Sequence, residues 1–272
     1  RSLSATAMQV RSRQSLNRGK MKVSEKIAII TGGGTGVGRA TALQLAAKGC
    51  SVLLNYSRSS REAEETAEEC KKLGVWAEAF QADISNEEDC LALVKRVEEK
   101  YGKLDILVNN AGTTKVVPHS NLGGLSQGDW DHILGVNVIG TFQMTRAAEK
   151  ILRASGNAEV VMISSISGLR PIGSSIAYCA SKAAVNSLTQ TLSKVLAPQV
   201  RVNAICPGFI TGRWQKMMQG DGYEQTIQAV IDSTPLQKAA DPADIADAVL
   251  GIIEGSDMLT GQILLVDGGQ NI

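Results

Sequence analysis

Short apolar runs alternate along the chain with longer stretches in which apolar residues recur every three or four positions. The runs predict buried strands, and the periodic stretches predict amphipathic helices. Strands are predicted over residues 27–31, 51–55, 76–81, 105–109, 159–164, 200–205 and 262–266, and helices over 39–48, 60–73, 86–101, 130–153 and 178–196. Strands that alternate with helices form βαβ units, so we predict an α/β fold with a doubly wound, parallel sheet of about seven strands.

No linker rich in proline, glycine and serine divides this pattern. We therefore expect one domain over residues 23–272. The pattern weakens between residues 209 and 240, where Gly, Met, Gln and Asp are frequent. An irregular segment of this length is a candidate substrate lid, although a variable surface loop would have the same composition.

Residues 1–22 contain six basic side chains, no acidic one and no sustained apolar period. We expect a disordered basic tail here. The same composition fits a mitochondrial or plastid presequence. A leader ahead of Met21 as the natural start is a further alternative.

Charge and composition exclude several classes of protein. Outside the basic tail, 22 basic residues stand against 27 acidic ones, a net charge of −5, which disfavours nucleic-acid binding. No apolar stretch approaches the roughly 20 residues that span a bilayer, so we expect a soluble cytoplasmic protein, or one in an organelle matrix if residues 1–22 are a presequence. The five cysteines are widely spaced and form no CxxC pair, which is typical of free thiols in a reducing compartment.

A glycine-rich turn, Thr31-Gly-Gly-Gly-Thr-Gly-Val-Gly38, follows the first predicted strand and precedes a predicted helix. Glycines allow the backbone to turn sharply and to approach a pyrophosphate, whose charge then lies at the N-terminus of the helix. The position of this turn between strand and helix predicts a nucleotide-binding site.

Tyr178 and Lys182 are four residues apart in a predicted helix, and Ser165 lies thirteen positions before Tyr178. Residues four apart lie on one helix face, and a nearby ammonium group lowers the pKa of a phenol from its ordinary value of about 10. A tyrosine altered in this way can donate a proton to a carbonyl oxygen at neutral pH. A surface lysine packed on a tyrosine would show the same spacing, but the glycine-rich turn in the same domain favours catalysis.

Further motifs accompany these two: Asn109-Asn-Ala-Gly112, Asn137 within Gly-Val-Asn-Val, Pro207-Gly208 and Val266-Asp-Gly-Gly269. In this order and at these spacings, from about Lys22 to Ile272, the chain resembles the single-domain branch of the short-chain dehydrogenase/reductase family. The resemblance implies a Rossmann-like fold, a nicotinamide cofactor, and hydride transfer between that cofactor and a carbonyl or secondary alcohol carbon. It implies no metal, and His119 and His132 lack the spacing of metal ligands.

The resemblance also implies a role for each candidate catalytic residue. Tyr178 is the acid in reduction and the base in oxidation, and Lys182 also holds the nicotinamide ribose. Ser165 donates a hydrogen bond to the substrate oxygen, and Asn137 orients a water that relays protons. The cofactor-binding positions that it implies are Gly32, Gly34, Thr35, Gly36, Val37, Gly38, Asn55, Ser57, Arg58, Asp83, Ile84, Asn110, Ala111, Gly112, Tyr178, Lys182, Pro207, Gly208 and Ile210.

Two of the neighbouring polar residues have alternative interpretations. Asp83 is similar to the family's acid that receives the adenine amino group, but an aspartate before Ser85-Asn-Glu-Glu could equally be a helix N-cap. We expect Asn109 to connect strands rather than to contact substrate.

The end of the second predicted strand bears on the choice between NAD and NADP. A carboxylate there would accept the ribose 2′-hydroxyl of NAD, whereas a cation accommodates the 2′-phosphate of NADP. The segment reads Asn55-Tyr-Ser-Arg58 and has no acid before Glu62, and Arg58 can donate charge-assisted hydrogen bonds to a phosphate. The resemblance agrees, although Thr35 stands where many NADP-dependent members have a basic residue. We expect NADP(H) to be favoured over NAD(H).

Within the family, the closest general likeness is to 3-oxoacyl-carrier-protein reductases. Two departures weaken the expectation of a carrier-protein partner: residues 154–157 and 197–199 lack the basic side chains on which an acidic carrier docks, and the loop 119–125 is long and rich in glycine. A small ketone or a sugar is an equal alternative substrate. A non-catalytic NADP-sensing or scaffold protein could use the same fold, but it would not need the intact catalytic set.

Apolar residues on more than one face of two predicted helices indicate a homo-oligomer. In helices 130–153 and 178–196 they are Ile133, Leu134, Val138, Phe142, Met144, Ala183, Val185, Leu188 and Leu192. One face covers the sheet, and a second apolar face needs a partner. The resemblance implies a homotetramer that uses these helices for one interface and Ile263–Val266 for another. Helices wholly buried in a monomer would give a similar pattern.

Overall fold

The computed structural model describes residues 19–271, and its centre is a sheet of seven strands. The strands are β1 Ile27–Ile30, β2 Ser51–Tyr56, β3 Ala77–Gln81, β4 Ile106–Asn109, β5 Ala158–Ile163, β6 Val200–Pro207 and β7 Ile263–Val266. They lie in the order β3-β2-β1-β4-β5-β6-β7, and every pairing is parallel. This is the predicted doubly wound α/β sheet, and all seven predicted strands are present.

Nine α-helices of the described residues connect the strands: α1 Gly36–Ala47, α2 Ser60–Lys72, α3 Glu87–Tyr101, α4 Gln127–Leu134, α5 Thr141–Ser155, α6 Ile176–Leu196, α7 Arg213–Gln219, α8 Tyr223–Ser233 and α9 Pro242–Glu254. Two predictions need correction. The single helix expected over 130–153 is α4 and α5, joined by a π-helical segment at Gly135–Gly140. The segment 209–240, expected to be irregular, contains the helices α7 and α8.

The central strands are buried and mostly apolar because helices cover both faces of the sheet. Every residue of β1 is buried, and its side chains alternate between two core clusters, with Ile27 and Ile29 in one and Ala28 and Ile30 in the other. The first cluster also contains residues of α3, α5 and α6. The second contains residues of α1, α2 and α9.

The chain changes direction across the sheet between β1 and β4. From β1 it proceeds outward through β2 to β3, and then returns to the other side of β1 to form β4, β5, β6 and β7. The connections after β1 and β4 therefore leave on opposite faces, and a crevice opens at the carboxyl ends of these two strands. The glycine-rich turn after β1 lies at this crevice.

Of the predicted tail, residues 1–18 lie outside the described residues. Met21 is 3% exposed and belongs to the second core cluster. The packed part of the chain therefore includes Met21, two residues before the predicted boundary. None of the helices within residues 19–271 has the length and apolarity needed to cross a membrane.

All five cysteines are free thiols, as predicted. Cys50, Cys70, Cys90 and Cys206 are buried, whereas Cys179 is half-buried. Burial disfavours the thiolate and raises the pKa of Cys70 to about 11 and that of Cys90 to about 12. Both thiols are therefore protonated at neutral pH and pack as small apolar groups.

Candidate active site

The glycine-rich turn is attached to the turn that follows β4. The hydroxyl oxygen of Thr31 accepts hydrogen bonds from the backbone N–H groups of Asn110 and Ala111, at 2.9 and 3.0 Å. In return, the Asn110 amide donates to the carbonyl oxygens of Thr31 and Gly32, at 2.9 and 3.1 Å. These bonds hold the two sides of the crevice at a fixed distance.

Four glycines of this turn are required for different reasons. Gly32 and Gly36 have φ angles of +63° and +53°, in the left-handed region that other residues rarely adopt. A Cβ on Gly38 would lie 2.3 Å from the Gly32 carbonyl oxygen, and one on Gly34 would lie 2.8 Å from the backbone nitrogen of Ala63. The turn therefore packs tightly against α2 and against itself.

The N-terminus of α1 fits an anionic ligand. Thr35 is its N-cap but makes no side-chain capping bond, and the first turn, which contains Val37, has no acidic residue. By contrast, α4 and α9 each begin with a complete capping box. Because the first N–H groups of a helix need acceptors, the start of α1 suits the pyrophosphate of a dinucleotide.

Asn55 of β2 hydrogen-bonds to this turn from within the core. Its side chain is 2% exposed; Oδ1 accepts from the N–H of Gly32 at 3.4 Å, and Nδ2 donates to the Ala82 carbonyl at 2.8 Å. Ile84 is also buried, and its carbonyl oxygen would lie 2.9 Å from a Cβ on Gly140. Both residues thus shape the crevice from within the core.

Three other predicted cofactor residues are exposed at the same edge: Ser57, Arg58 and Asp83. Asp83 accepts hydrogen bonds from the N–H and hydroxyl groups of Ser85, at 2.9 and 2.7 Å. The N-cap of α3 is Asn86, whose oxygen accepts from two backbone N–H groups. The alternative interpretation of Asp83 as this N-cap is therefore wrong.

Ser165, Tyr178 and Lys182 meet beside this crevice. Ser165 follows β5, and its hydroxyl donates to that of Ser167 at 3.1 Å and favours the ionised form of the Tyr178 phenol. Tyr178 lies in the first turn of α6, where Ser175 is the N-cap and accepts from its backbone N–H. One turn later, the Nζ atom of Lys182 lies 5.6 Å from the centre of the Tyr178 ring and donates to the Ile163 carbonyl at 2.8 Å.

Burial controls both titrating groups. It raises the pKa of Tyr178 to about 12, although the hydrogen bond with Ser165 acts in the opposite direction. It also lowers the pKa of Lys182 to about 8. The expectation that Lys182 lowers the pKa of this phenol is thus wrong for this structure, because removing the phenolate from water is the dominant effect. At neutral pH the phenol carries its proton.

Asn137 lies in the π-helical segment between α4 and α5 and is 1% exposed. Its Oδ1 accepts from the N–H of Thr113 at 2.7 Å, and its Nδ2 donates to the Thr113 carbonyl and the Ser181 hydroxyl, at 2.9 and 3.0 Å. Thr113 and Ser181 were not predicted. The position of Ser181, one residue before Lys182 on α6, was the available signal.

The remaining predicted residues lie around this cluster. A Cβ on Gly112 would be 3.4 Å from Oδ1 of Asn137 and 3.7 Å from Nζ of Lys182. After β6, which ends at Pro207, Gly208 packs against Asp267, and Ile210 pairs with Ala240.

Asn109 does not belong to this cluster. It donates to the Thr145 hydroxyl on α5 and to the sulfur of Met162 on β5, so it connects elements as predicted.

Comparison with known proteins identifies the family. Residues 26–221 match the model of the short chain dehydrogenase family. A ketoacyl reductase ascribed to the granaticin polyketide synthase of Streptomyces violaceoruber is 42% identical over 90% of this chain and 96% of its own. A 3-oxoacyl-[acyl-carrier-protein] reductase of a Synechocystis species is 33% identical over 91% and 97% of the two chains.

Solved structures agree with the sequence relatives. A crystal structure classed as a short-chain dehydrogenase/reductase of Burkholderia xenovorans superposes with a TM-score of 0.83 at 36% identity, over 90% of this chain and 97% of the other. The likeness therefore extends to the fold and covers almost the whole of both chains. The chain belongs to the short-chain dehydrogenase family and is an NAD(P)-dependent oxidoreductase.

Proposed function

We propose that the protein is an NADP(H)-dependent reductase of ketones, with Tyr178 as the proton donor. The arrangement of Ser165, Tyr178 and Lys182 beside the glycine-rich turn is the observation that carries this proposal. A hydroxyl, a phenol and an ammonium group here adjoin a turn that suits a dinucleotide. A protein that only sensed NADP would have no need of a half-buried phenol beside a serine hydroxyl and an ammonium group.

The proposed chemistry divides between cofactor and protein. When bound, the nicotinamide supplies the hydride in reduction and accepts it in oxidation. Tyr178 donates its phenolic proton to the carbonyl oxygen of the substrate, and the Ser165 hydroxyl donates a hydrogen bond to the same oxygen. Lys182, held by the Ile163 carbonyl, keeps a positive charge near the phenolate that forms. Asn137 orders the backbone of Thr113 beside this site.

Exposed apolar side chains favour an apolar ketone over a sugar. Leu169 and Ile172 follow β5, and Trp214 and Met217 follow β6; each is at least 41% exposed. The carboxyl ends of parallel strands meet at one edge of the sheet, so the segments that carry these side chains begin at the same edge as the segment that leads to Tyr178. The apolar part of a substrate would cover them and gain stabilisation from their burial.

The surface offers little support for a carrier protein. Arg153, at the end of α5, donates to the Val195 and Leu196 carbonyls at the end of α6, at 2.7 and 3.2 Å, so its charge caps that helix. Residues 154–157 and 197–199 have no basic side chain. Ketones and ketoacyl thioesters of a small thiol therefore fit this surface better than substrates attached to a carrier protein, although two relatives are named as ketoacyl reductases.

A substrate panel tests this proposed function. Apolar cyclic and aromatic ketones, acetoacetyl thioesters of a small thiol and of a carrier protein, and sugars are each assayed with NADPH and with NADH. We expect turnover of the ketones and of the small thioester with NADPH. Activity on sugars alone would contradict the proposed substrate class, and activity only on the carrier thioester would establish the carrier reductase instead.

Arg58→Ala is expected to weaken NADPH binding by about ten- to a hundredfold, because a hydrogen bond to a charged group contributes roughly 1.5–3 kcal/mol. Among the described residues, Arg58 has no acidic partner within ion-pair distance, so its guanidinium is available for a 2′-phosphate. Titration of cofactor fluorescence measures both dissociation constants. We expect NADH binding to change little.

Arg61→Ala is the matched control, because Arg61 lies three residues after Arg58, in the first turn of α2, is exposed and pairs with Glu65 at 2.8 Å. It should leave both cofactors unaffected. An equal loss of NADPH and NADH affinity in Arg58→Ala would contradict the assignment of Arg58. A wild-type protein that binds NADH more tightly than NADPH would contradict the proposed cofactor preference itself.

We also propose a homotetramer. Of the apolar residues predicted on the two helices 130–153 and 178–196, Ile133, Met144, Val185 and Leu192 are buried and belong to the face that packs within the monomer. Phe142 of the predicted set is exposed by 38%, and two residues outside that set, Ile139 and Val195, are exposed by more than half. At the edge of the sheet, Leu264 and Leu265 of β7 are exposed by 45% and 41%. Two separate apolar surfaces are consistent with two two-fold interfaces.

Light scattering at micromolar concentration measures this state. The chain mass is 28.8 kDa, and we expect about four times that value. Phe142→Lys should disrupt the helix interface and leave dimers joined through β7, because it places a charge in an apolar contact. A wild-type mass of one chain would show that the exposed apolar surfaces are not interfaces.

A further inference from the structure

One ion pair connects two parts of the fold that the sheet places far apart. The helix α2 follows β2, and the helix α7 follows β6. In the order β2-β1-β4-β5-β6, these two strands are separated by four intervals, which is about 19 Å at about 4.8 Å per interval. Nevertheless, Nη1 of Arg213 in α7 lies 2.5 Å from Oε1 of Glu62 in α2.

This contact requires the segment after β6 to cross the carboxyl ends of β5, β4 and β1. Those ends carry the proposed catalytic cluster and the glycine-rich turn. On the α2 side, the pair is anchored next to that turn, because Glu62 is followed by Ala63, against which Gly34 packs. An Arg213–Glu62 contact therefore bridges the crevice in which the dinucleotide is proposed to lie.

Hydrogen bonds also fix the α7 end of the ion pair. The backbone N–H of Thr211 donates to the Ala240 carbonyl at 2.8 Å, and the N–H of Gly212 donates to the hydroxyl of Tyr223 at 2.8 Å. Gly212 has a φ angle of +127°, which permits the sharp change of direction before α7. Arg213 thus extends from a fixed turn at the start of the segment that contains α7 and α8.

We infer that Arg213 and Glu62 are positioning residues that hold the segment 209–240 closed over the bound cofactor. This inference rests on the proposed NADP(H) site. The cofactor then leaves only when the ion pair has opened, so the pair sets the rate of cofactor release. The two side chains are 70% and 36% exposed, and water therefore screens their attraction. An exposed pair of this kind alters a rate by about two- to fivefold.

Cofactor release tests the inference directly. The full chain is loaded with NADPH and mixed with an excess of NADP⁺, and the change in nicotinamide fluorescence gives the dissociation rate. We expect Arg213→Gln, Glu62→Gln and the double variant each to release NADPH about two- to fivefold faster than the wild type. The three rates should agree, because either single substitution already breaks the whole pair.

The matched control is the pair of Lys48 and Glu254, which joins α1 to α9 at 2.7 Å with similar exposure, 50% and 32%. This pair lies at the amino ends of the strands, away from the crevice at their carboxyl ends, so Lys48→Gln should not change the release rate. If Arg213 instead contacted the cofactor phosphates, Arg213→Gln would accelerate release and Glu62→Gln would not. That result would overturn the inference.

Proteolysis without cofactor separates this inference from the proposed function. Chymotrypsin cleaves after aromatic residues, and Trp214 is 41% exposed in α7. We expect Glu62→Gln to be cleaved in the segment 209–240 faster than the wild type, and Lys48→Gln to be cleaved at the wild-type rate. Failure to bind NADPH with faster cleavage in Glu62→Gln would contradict only the cofactor proposal. Equal cleavage rates would show that the ion pair does not hold the segment.

Discussion

Tyr178→Phe is expected to reduce kcat by about a hundred- to ten-thousandfold, the range that general acid–base catalysis contributes. The substitution removes one hydroxyl group, and with it the proton that the substrate oxygen receives. Phenylalanine fills the same half-buried position, so the helix α6 and the adjacent Lys182 should remain in place. Cofactor affinity should therefore change little, which fluorescence titration can measure beside the steady-state rate.

Tyr101→Phe is the corresponding control. Its hydroxyl lies 3.5 Å from that of Ser51 at the other edge of the sheet, where no proposed site residue is found. It should retain the wild-type kcat. A Tyr178→Phe protein that kept more than about a tenth of the wild-type kcat would show that another group donates the proton.

Arg201→Met is expected to lower the free energy of unfolding by about 3–5 kcal/mol, because it removes the cation that pairs with the buried Glu159 carboxylate. Arg201 on β6 and Glu159 on β5 are 3% and 0% exposed and lie 2.9 Å apart. The guanidinium also donates to the Ile252 and Ile253 carbonyls near the end of α9. Its loss thus removes a charge partner and a helix cap together.

Urea unfolding followed by circular dichroism measures this change at one fixed protein concentration. Arg61→Met removes an arginine that is exposed, as is its partner Glu65, and it should change the stability by less than about 1 kcal/mol. A loss in Arg201→Met as small as that of the control would show that Glu159 is not destabilised by the loss of Arg201. Replacing both members of the pair by apolar residues should recover part of the stability.

The sequence alone determined the fold and the location of the site. Buried parallel strands are largely continuous apolar runs because helices cover both their faces, so segments such as Ile27–Ile30 and Ala158–Ile163 could be recognised locally. The glycine-rich turn was equally recognisable, since close backbone approach and left-handed φ angles at Gly32 and Gly36 restrict these positions to glycine. The four-residue spacing of Tyr178 and Lys182 placed both on one helix face.

Only the tertiary structure decided how these groups behave. The spacing of Tyr178 and Lys182 suggested a lowered phenol pKa, but the loss of water around the phenol raises it instead; desolvation depends on all surrounding atoms and not on a local pattern. The pairs Arg201–Glu159 and Arg213–Glu62 join residues distant in sequence, so no periodicity indicates them. The π-helical segment that carries Asn137 likewise depends on packing against Thr113 and Ser181. Local patterns determine the helices and strands. Burial and long-range contacts determine the protonation of the site residues and the position of the segment 209–240 over the crevice.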